Sequence, residues 1–259
     1  MRPIGGSLWR HYICHMSGLI DLHCHCVPGI DDGARTLEES VEILSGLLSL
    51  GFTRVVTTPH MRPGMFNNTA ATLLAAFELF RGRIPEDLVL PALELSCEHF
   101  FDDVVFRALM DGRGLPYPGG RSILLEFYAT DFPLTIDHRL ADLRRYGYLP
   151  VIAHPERYEP LWKSPDILER LLDVGCVALL DSAALVGRYG KKPQRCAREL
   201  LERGVYIAAC SDAHRMHDVD ATAKGIEWIN REYGREEVRS LFVAGPEAIL
   251  LGQRLHAVR

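Results

Sequence analysis

The chain has 259 residues, 47% hydrophobic and 24% charged, with a formal net charge of −5. That is material for one large α/β domain with a substantial core, and the acidic balance argues against a nucleic-acid-binding surface. No apolar run reaches the ~18–20 residues of a membrane span, and seven cysteines scattered through apolar segments point to a reducing cytoplasm rather than a disulfide framework.

Residues 1–17 lack the apolar stretch of a signal peptide and read as an N-terminal extension, disordered or preceding the true start; a single domain is expected over 18–259. GLIDLH (18–23) is the first expected strand, and HCHCVPGIDDGAR (23–35) follows it. Alternate residues of an extended chain share a face, so His23 and His25 point together while Cys24 and Cys26 point away as packing residues. A thiolate zinc site is the competing reading, but no CxxC pair stands near another candidate ligand. Asp31 is expected to cap the turn at Gly33. Thr36-Leu-Glu-Glu39 reads as a capping box, opening a helix with Leu37, Val41, Leu44 and Leu48 along one face.

A physical pattern then repeats four times: an apolar helix ends at glycine, a β-branched or aliphatic run follows, and a chemically active residue closes the unit. The four are LLSLG-FTRVVTTPH, LRRYG-YLPVIAHPE, LLDVG-CVALLDS and LLERG-VYIAACSDAH. Glycine suits the left-handed position that stops a helix, and the apolar runs suit parallel strands covered on both faces. Ser164-Pro165 reads as an N-cap with proline at N1. With LVLPALEL (88–95) and SILLEF (122–127), seven strands alternate with helices, which favours an α/β barrel or a doubly wound sheet.

The polar residues separate these two. His23, His60, Glu94, Glu126, His154 and Asp212 are each placed at the C-terminal end of a different strand, and only a barrel brings such ends to one face. With His25, Asp32 and His214 they form an imidazole–carboxylate set suited to Mn²⁺, Fe²⁺ or Zn²⁺. Nine groups exceed the needs of one ion, so two or three divalent ions sharing carboxylates are expected. Singly, each would more often cap a helix or pair with an arginine. Glu98, Asp102, Asp103 and Asp131 read as solvated, and histidines 11, 15, 99, 138, 217 and 256 as surface or core residues.

Clustered cations generate hydroxide near neutral pH and clamp the oxygens of an in-line displacement, which suits phosphate ester hydrolysis and also amide or lactone hydrolysis. Arg62 after His60, Arg157 after His154 and Arg188 in LVGRYG tip the choice towards phosphate, because a planar guanidinium matches phosphate oxygens. Arg157 has a structural alternative, a bridge to Glu156 or another acidic loop residue. Residues 62–68 read as a mobile loop over the mouth. No GxSxG, GxxxxGK[ST] or GxGxxG signature competes.

IDLHCHCVPGIDDGARTLEES, TTPHMRPGMF, LLEF, VIAHPERY and CSDAH, in this order, resemble the polymerase and histidinol phosphatase (PHP) superfamily. Within it they resemble the bacterial protein-tyrosine phosphatases of capsule and exopolysaccharide synthesis. The resemblance implies a distorted seven-stranded (β/α) barrel, TIM-like in outline, with a trinuclear, manganese-type centre. It implies metal-ligand roles for His23, His25, Asp32, His60, Glu94, Glu126, His154, Asp212 and His214, with Glu126 bridging two ions. The implied partner is the tyrosine-rich tail of an autophosphorylating bacterial tyrosine kinase, with no nucleic acid and no direct membrane insertion.

This chain departs from the pattern at Met61, where many relatives have histidine, at Asp181-Ser182, and at Glu94, which stands in LPALELSCE rather than Gly-Ala-Glu. The expected reaction is phosphomonoester hydrolysis. Arg62 or Arg157 neutralises phosphoryl charge, Met65 and Phe66 flank the substrate ring, and Asp32 or His60 serves as acid if one is used. The alternatives are a small-molecule phosphatase of the histidinol phosphate kind and a non-catalytic PHP scaffold.

Overall fold

The computed structural model of the protein describes residues 18–254. The expected extension, 1–17, lies outside the described residues.

Each expected strand run forms a strand; one of them splits, and one strand appears where none was expected. The strands are β1 (Leu19–Asp21), β2 (Phe52–Thr57), β3 (His60–Met61), β4 (Ala92–Leu95), β5 (Glu98–Phe100), β6 (Ser122–Glu126), β7 (Leu149–Ala153), β8 (Val177–Asp181) and β9 (Tyr206–Cys210). They make two parallel sheets, ordered β1-β2-β4 and β3-β5-β6-β7-β8-β9. The expectation of seven strands is thus corrected to nine among the described residues. FTRVVTTPH breaks between β2 and β3 around Pro59, which has no N–H to give a ladder. The run LVLPALEL (88–95) yields β4, and after Ser96-Cys97 an unexpected strand, β5, follows. Loop hydrogen bonds span the gap, from Ser96 N–H to Thr57 O (2.9 Å) and from Glu98 N–H to Thr58 O (3.3 Å). An isolated parallel bridge pairs Cys24, after β1, with Ala213, after β9.

The helices are α1 (Leu37–Ser49), α2 (Ala70–Arg81), α3 (Asp103–Met110), α4 (Ile136–Tyr146), α5 (Glu159–Lys163), α6 (Asp166–Asp173), α7 (Lys191–Glu202), α8 (Met216–Tyr233), α9 (Arg235–Arg239) and α10 (Gly245–Leu250). The glycines expected to stop helices do adopt left-handed backbone, with φ of +96° at Gly51, +106° at Gly147, +113° at Gly175 and +67° at Gly204. Two local expectations shift by about a residue. The buried face of α1 is Ser40, Ile43, Leu44 and Leu47, because α8 lays Met216 and Val219 against Gly46. Ser164 closes α5, and Pro165 takes the N-cap position of α6.

Strand residues alternate between two apolar clusters, which is why the runs read as continuously hydrophobic. Ile152, Ala178 and Leu180 pack outward with Leu140, Leu143, Leu168 and Leu200 of the helices. Leu22, Val56, Leu124, Val151, Leu179 and Ala208, from both sheets, share a second cluster sealed by Tyr117 and Ile249. Burying a leucine or valine fully contributes roughly 1.5–3 kcal/mol, so both clusters hold the strands firmly. That rigidity sets the strand ends, where the polar residues lie.

Candidate metal centre

His23 and His25 follow β1 with their Nε2 atoms 3.0 Å apart, both rings fully buried. Cys24 and Cys26 turn the other way into the apolar core. His60 opens β3 and Glu98 opens β5, side by side in register. Glu126 ends β6, His154 follows β7, Asp212 and His214 follow β9, and Asp32 stands on the loop after His25.

Glu98 is the hub. Its Oε1 lies 2.9 Å from His154 Nε2, and its Oε2 lies 2.9 Å from His60 Nδ1, 3.4 Å from His23 Nε2 and 3.5 Å from His25 Nε2. Asp212 Oδ1 lies 3.1 Å from His23 Nε2 and 3.4 Å from His25 Nε2. Asp32 Oδ1 lies 3.4 Å from His60 Nε2 and 3.5 Å from His214 Nε2. Four overlapping donor groups result, each with its atoms within 4.8 Å of one another: His25–Asp32–His60–His214, His23–His154–Asp212, His23–His25–Glu98 and His60–Glu98–Glu126.

The donor set fits divalent cations on observations beyond spacing. Buried His60 Nδ1, Glu126 Oε2 and Asp212 Oδ1 make no well-aligned hydrogen bond despite their close neighbours in the cluster, an arrangement that is expensive unless something positive sits among them. The ring nitrogens of His23 and His25 converge as two acceptors would on one ion. His154 (φ +33°) and Asp212 (φ +45°) hold left-handed backbone without being glycine, a strain of about 1–3 kcal/mol each that aims both side chains at the cluster.

Glu94 is not brought to this cluster. It sits mid-strand in β4 opposite Val56, partly exposed, and accepts a hydrogen bond from Arg54 Nε. Glu98, read from sequence as solvated, is buried at 1% exposure and takes the central place. No local signal separated the two: they stand four positions apart, and only the pairing of β3 with β5 sets Glu98 level with His60 while Glu94 is level with Val56. The measurable consequence is that Glu94→Gln leaves metal content intact and changes kcat/KM by less than about twofold, as for other exposed ion pairs.

Asp31 does more than cap a turn. Its Oδ1 accepts from Gly33 N–H (2.8 Å), while its Oδ2 pairs with His25 Nδ1 (2.8 Å) and accepts from His60 N–H (3.1 Å). A carboxylate on the far nitrogen of a ligand histidine fixes its tautomer and orientation. The loop passes so close to His25 that a Cβ on Gly33 would lie 2.1 Å from His25 O. Gly33→Ala is therefore expected to displace His25 and lower metal occupancy, read by elemental analysis of the purified variant.

Charge is crowded behind these groups. Burial, then Glu98, pushes the Glu126 carboxyl up to about 7; burial, then Asp212, pushes Asp181 up to about 7. Glu156 is pushed up to about 8 by burial and Asp181. It does not bridge to Arg157 but turns inward, accepting from Tyr206 Oη (2.9 Å) and Asp181 N–H (2.9 Å). Arg157 instead donates from Nη1 to Asp212 Oδ2, lies 3.8 Å from Asp181 Oδ2 and rests over the Tyr189 ring at 4.7 Å.

Arg62 Nη1 lies 3.8 Å from Glu126 Oε2. Arg188 is farther out, bonded to Asp218 (2.9 Å), on a cavity of about 310 Å³ that Asp32, Asp212, Arg157 and Tyr189 also line. Arg215 drew no attention in the sequence; it ties the Asp32 loop to the β9 exit by donating to the carbonyls of Asp32, Gly33 and His214. The loop expected to be mobile is a tight turn, closed by Phe66 N–H to Arg62 O (2.7 Å) and by Asn68 Nδ2 to His60 O (2.8 Å).

Residues 19–251 match the family model described as capsular polysaccharide synthesis, CpsB/CapC. The chain belongs to the CpsB/CapC family. Among CpsB/CapC relatives, the tyrosine-protein phosphatase YwqE of Bacillus subtilis is 31% identical over 224 residues, covering 84% of this chain and 86% of its own. The tyrosine-protein phosphatase CpsB of Streptococcus pneumoniae is 28% identical over 247 residues, covering 91% of this chain and 99% of its own. A crystal structure from a study of these two enzymes, described as unique metal-dependent tyrosine phosphatases, matches with a TM-score of 0.83 at 27% identity. It covers 92% of this chain and 96% of the other. The CpsB/CapC match spans every strand and all the donor residues described above.

Proposed function

We propose that this protein is a metal-dependent tyrosine-protein phosphatase acting in capsule or exopolysaccharide synthesis, on the phosphotyrosine tail of a bacterial tyrosine kinase at the cytoplasmic face. The observation that carries the reading is the overlap of four donor groups through Glu98, His23, His25 and His60. Two or three divalent ions use such a set fully, and its mixed imidazole–carboxylate chemistry favours Mn²⁺ over softer ions. His23, His25, Asp32, His60, Glu98, Glu126, His154, Asp212 and His214 would hold them. The parallel strand order and the bridge between Cys24 and Ala213 support the distorted (β/α) barrel as the frame.

When bound, the cations polarise the phosphoryl group and supply hydroxide near neutral pH. The chain's own residues do the rest. Arg157, oriented by Asp212, Asp181 and the Tyr189 ring, offers its guanidinium to phosphoryl oxygens and neutralises charge that grows in the transition state. Arg62 approaches from the Glu126 side. Asp32 and His60 take ligand roles in this scheme. No dedicated acid is then required, because a phenol of pKa about 10 departs as phenolate.

The test is metal content and phosphate release on one purified sample, with a phosphotyrosine peptide as substrate. Stripping with chelator is expected to lower activity by at least about a thousandfold, and added Mn²⁺ to restore it. Metal binding with hydrolysis of histidinol phosphate but not phosphotyrosine would move the substrate to a small molecule. Absence of metal binding would overturn the centre.

A further inference from the structure

We propose that Phe66 and Tyr128, backed by the buried Phe100, form a wall that receives the phenyl ring of the substrate, and that Tyr128 sets the preference for aryl over alkyl phosphates; this deepens the reading above and rests on it.

The wall grows out of the donor groups themselves. Arg62 and Phe66 face each other across a short antiparallel bridge, so their side chains share a face. From that face Phe66 stacks on the His60 ring, 5.2 Å away and tilted by only 6°. Arg62 covers Phe100, its guanidinium 4.0 Å from the ring centre. Phe100 meets Tyr128 edge to face at 4.6 Å and 90°. Tyr128 lies two residues beyond Glu126, while the intervening Phe127 points into the core against Phe101, Phe132 and Tyr158. The three aromatic rings thus run along the His60–Glu98–Glu126 side of the centre.

Exposure separates the members of this wall. Phe100 is buried, but Tyr128 is 53% exposed and neighbouring Met65 60%. A half-exposed aromatic ring beside fully buried donors is a surface waiting for an apolar partner of its own size. The cavity beside Asp32 and Asp212 is lined differently. Its lining includes Asp32, Asp212, Arg157 and Arg188 with the imidazoles of His214 and His217, and its phenol ring, Tyr189, is approached by two guanidiniums at 4.7 and 5.7 Å. That cavity suits phosphoryl oxygens or acidic residues of the substrate chain. A phenyl ring is better placed on the aromatic side, between Phe66 and Tyr128.

The experiment compares binding of phenylphosphonate and methylphosphonate to the metal-loaded enzyme by calorimetry, alongside kcat and KM for a phosphotyrosine peptide. Ring pairs contribute a factor of about three to ten in affinity. Tyr128→Ala is expected to lower the phenyl-to-methyl affinity ratio by that factor and to raise KM for the peptide more than it lowers kcat, with metal content unchanged. Tyr128→Phe is expected to restore the ratio, since the ring and not the hydroxyl makes the contact. An unchanged ratio in Tyr128→Ala, or a ratio that collapses in Tyr189→Leu instead, overturns the inference. Failure of the wild-type enzyme to hydrolyse phosphotyrosine would overturn the proposed function, whereas the phosphonate ratio reads the ring site by itself.

Discussion

Replacing Glu98 by glutamine is expected to empty the centre of most of its metal and to lower kcat/KM by about a thousandfold or more. The carboxylate touches four histidines, and its loss removes the shared negative charge from two donor groups at once. Metal ions supply several kcal/mol of transition-state stabilisation, and about 4 kcal/mol is a thousandfold in rate. The fold should survive, because glutamine keeps the volume and removes a buried charge that needs compensation. Elemental analysis and peptide kinetics on Glu98→Gln and Glu94→Gln side by side decide the matter. Normal metal content in Glu98→Gln with loss in Glu94→Gln would reverse the assignment made here.

Arg157→Ala separates charge stabilisation from metal binding. Removing one preorganised donor to a developing negative charge lowers turnover by about a hundred- to thousandfold. Metal content is expected to stay normal, since Asp212 still faces His23 and His25 through its other oxygen. Arg157→Lys should recover only part of the loss, because a point charge cannot reproduce a planar fork held between two carboxylates and an aromatic face. Unchanged kinetics in Arg157→Ala would remove it from the phosphoryl site. Loss of metal would make it a support for Asp212 instead.

Arg62 and Arg157 contact different carboxylates of the donor cluster, so sequence proximity alone could not rank them. Arg62 bears on Glu126 and the aromatic wall, Arg157 on Asp212 and the charged cavity. Adjacent positions in sequence also diverged in role. Asp31 orients His25 from behind while Asp32 joins the donors, and Glu156 is sealed inward while Arg157 faces the site. Each pair differs by one step along the backbone, and local conformation sends the two side chains in opposite directions.

What the sequence by itself determined was everything carried by short-range chemistry. Glycine stops, apolar runs of strand length and the alternation in His23-Cys24-His25-Cys26 placed the strands, the helix ends and the histidine pair. Polar residues at the ends of those runs, with His25, Asp32 and His214 near them, marked eight of the nine donors now grouped together. Only the tertiary structure decided the ninth. Glu94 and Glu98 are equivalent in local pattern, and the choice rests on the parallel register that sets His60 beside Glu98 once β2 has ended before Pro59 and β4 before Ser96-Cys97. Register is fixed by how one strand's buried face meets its neighbour's, a relation between segments about forty residues apart that no short window contains.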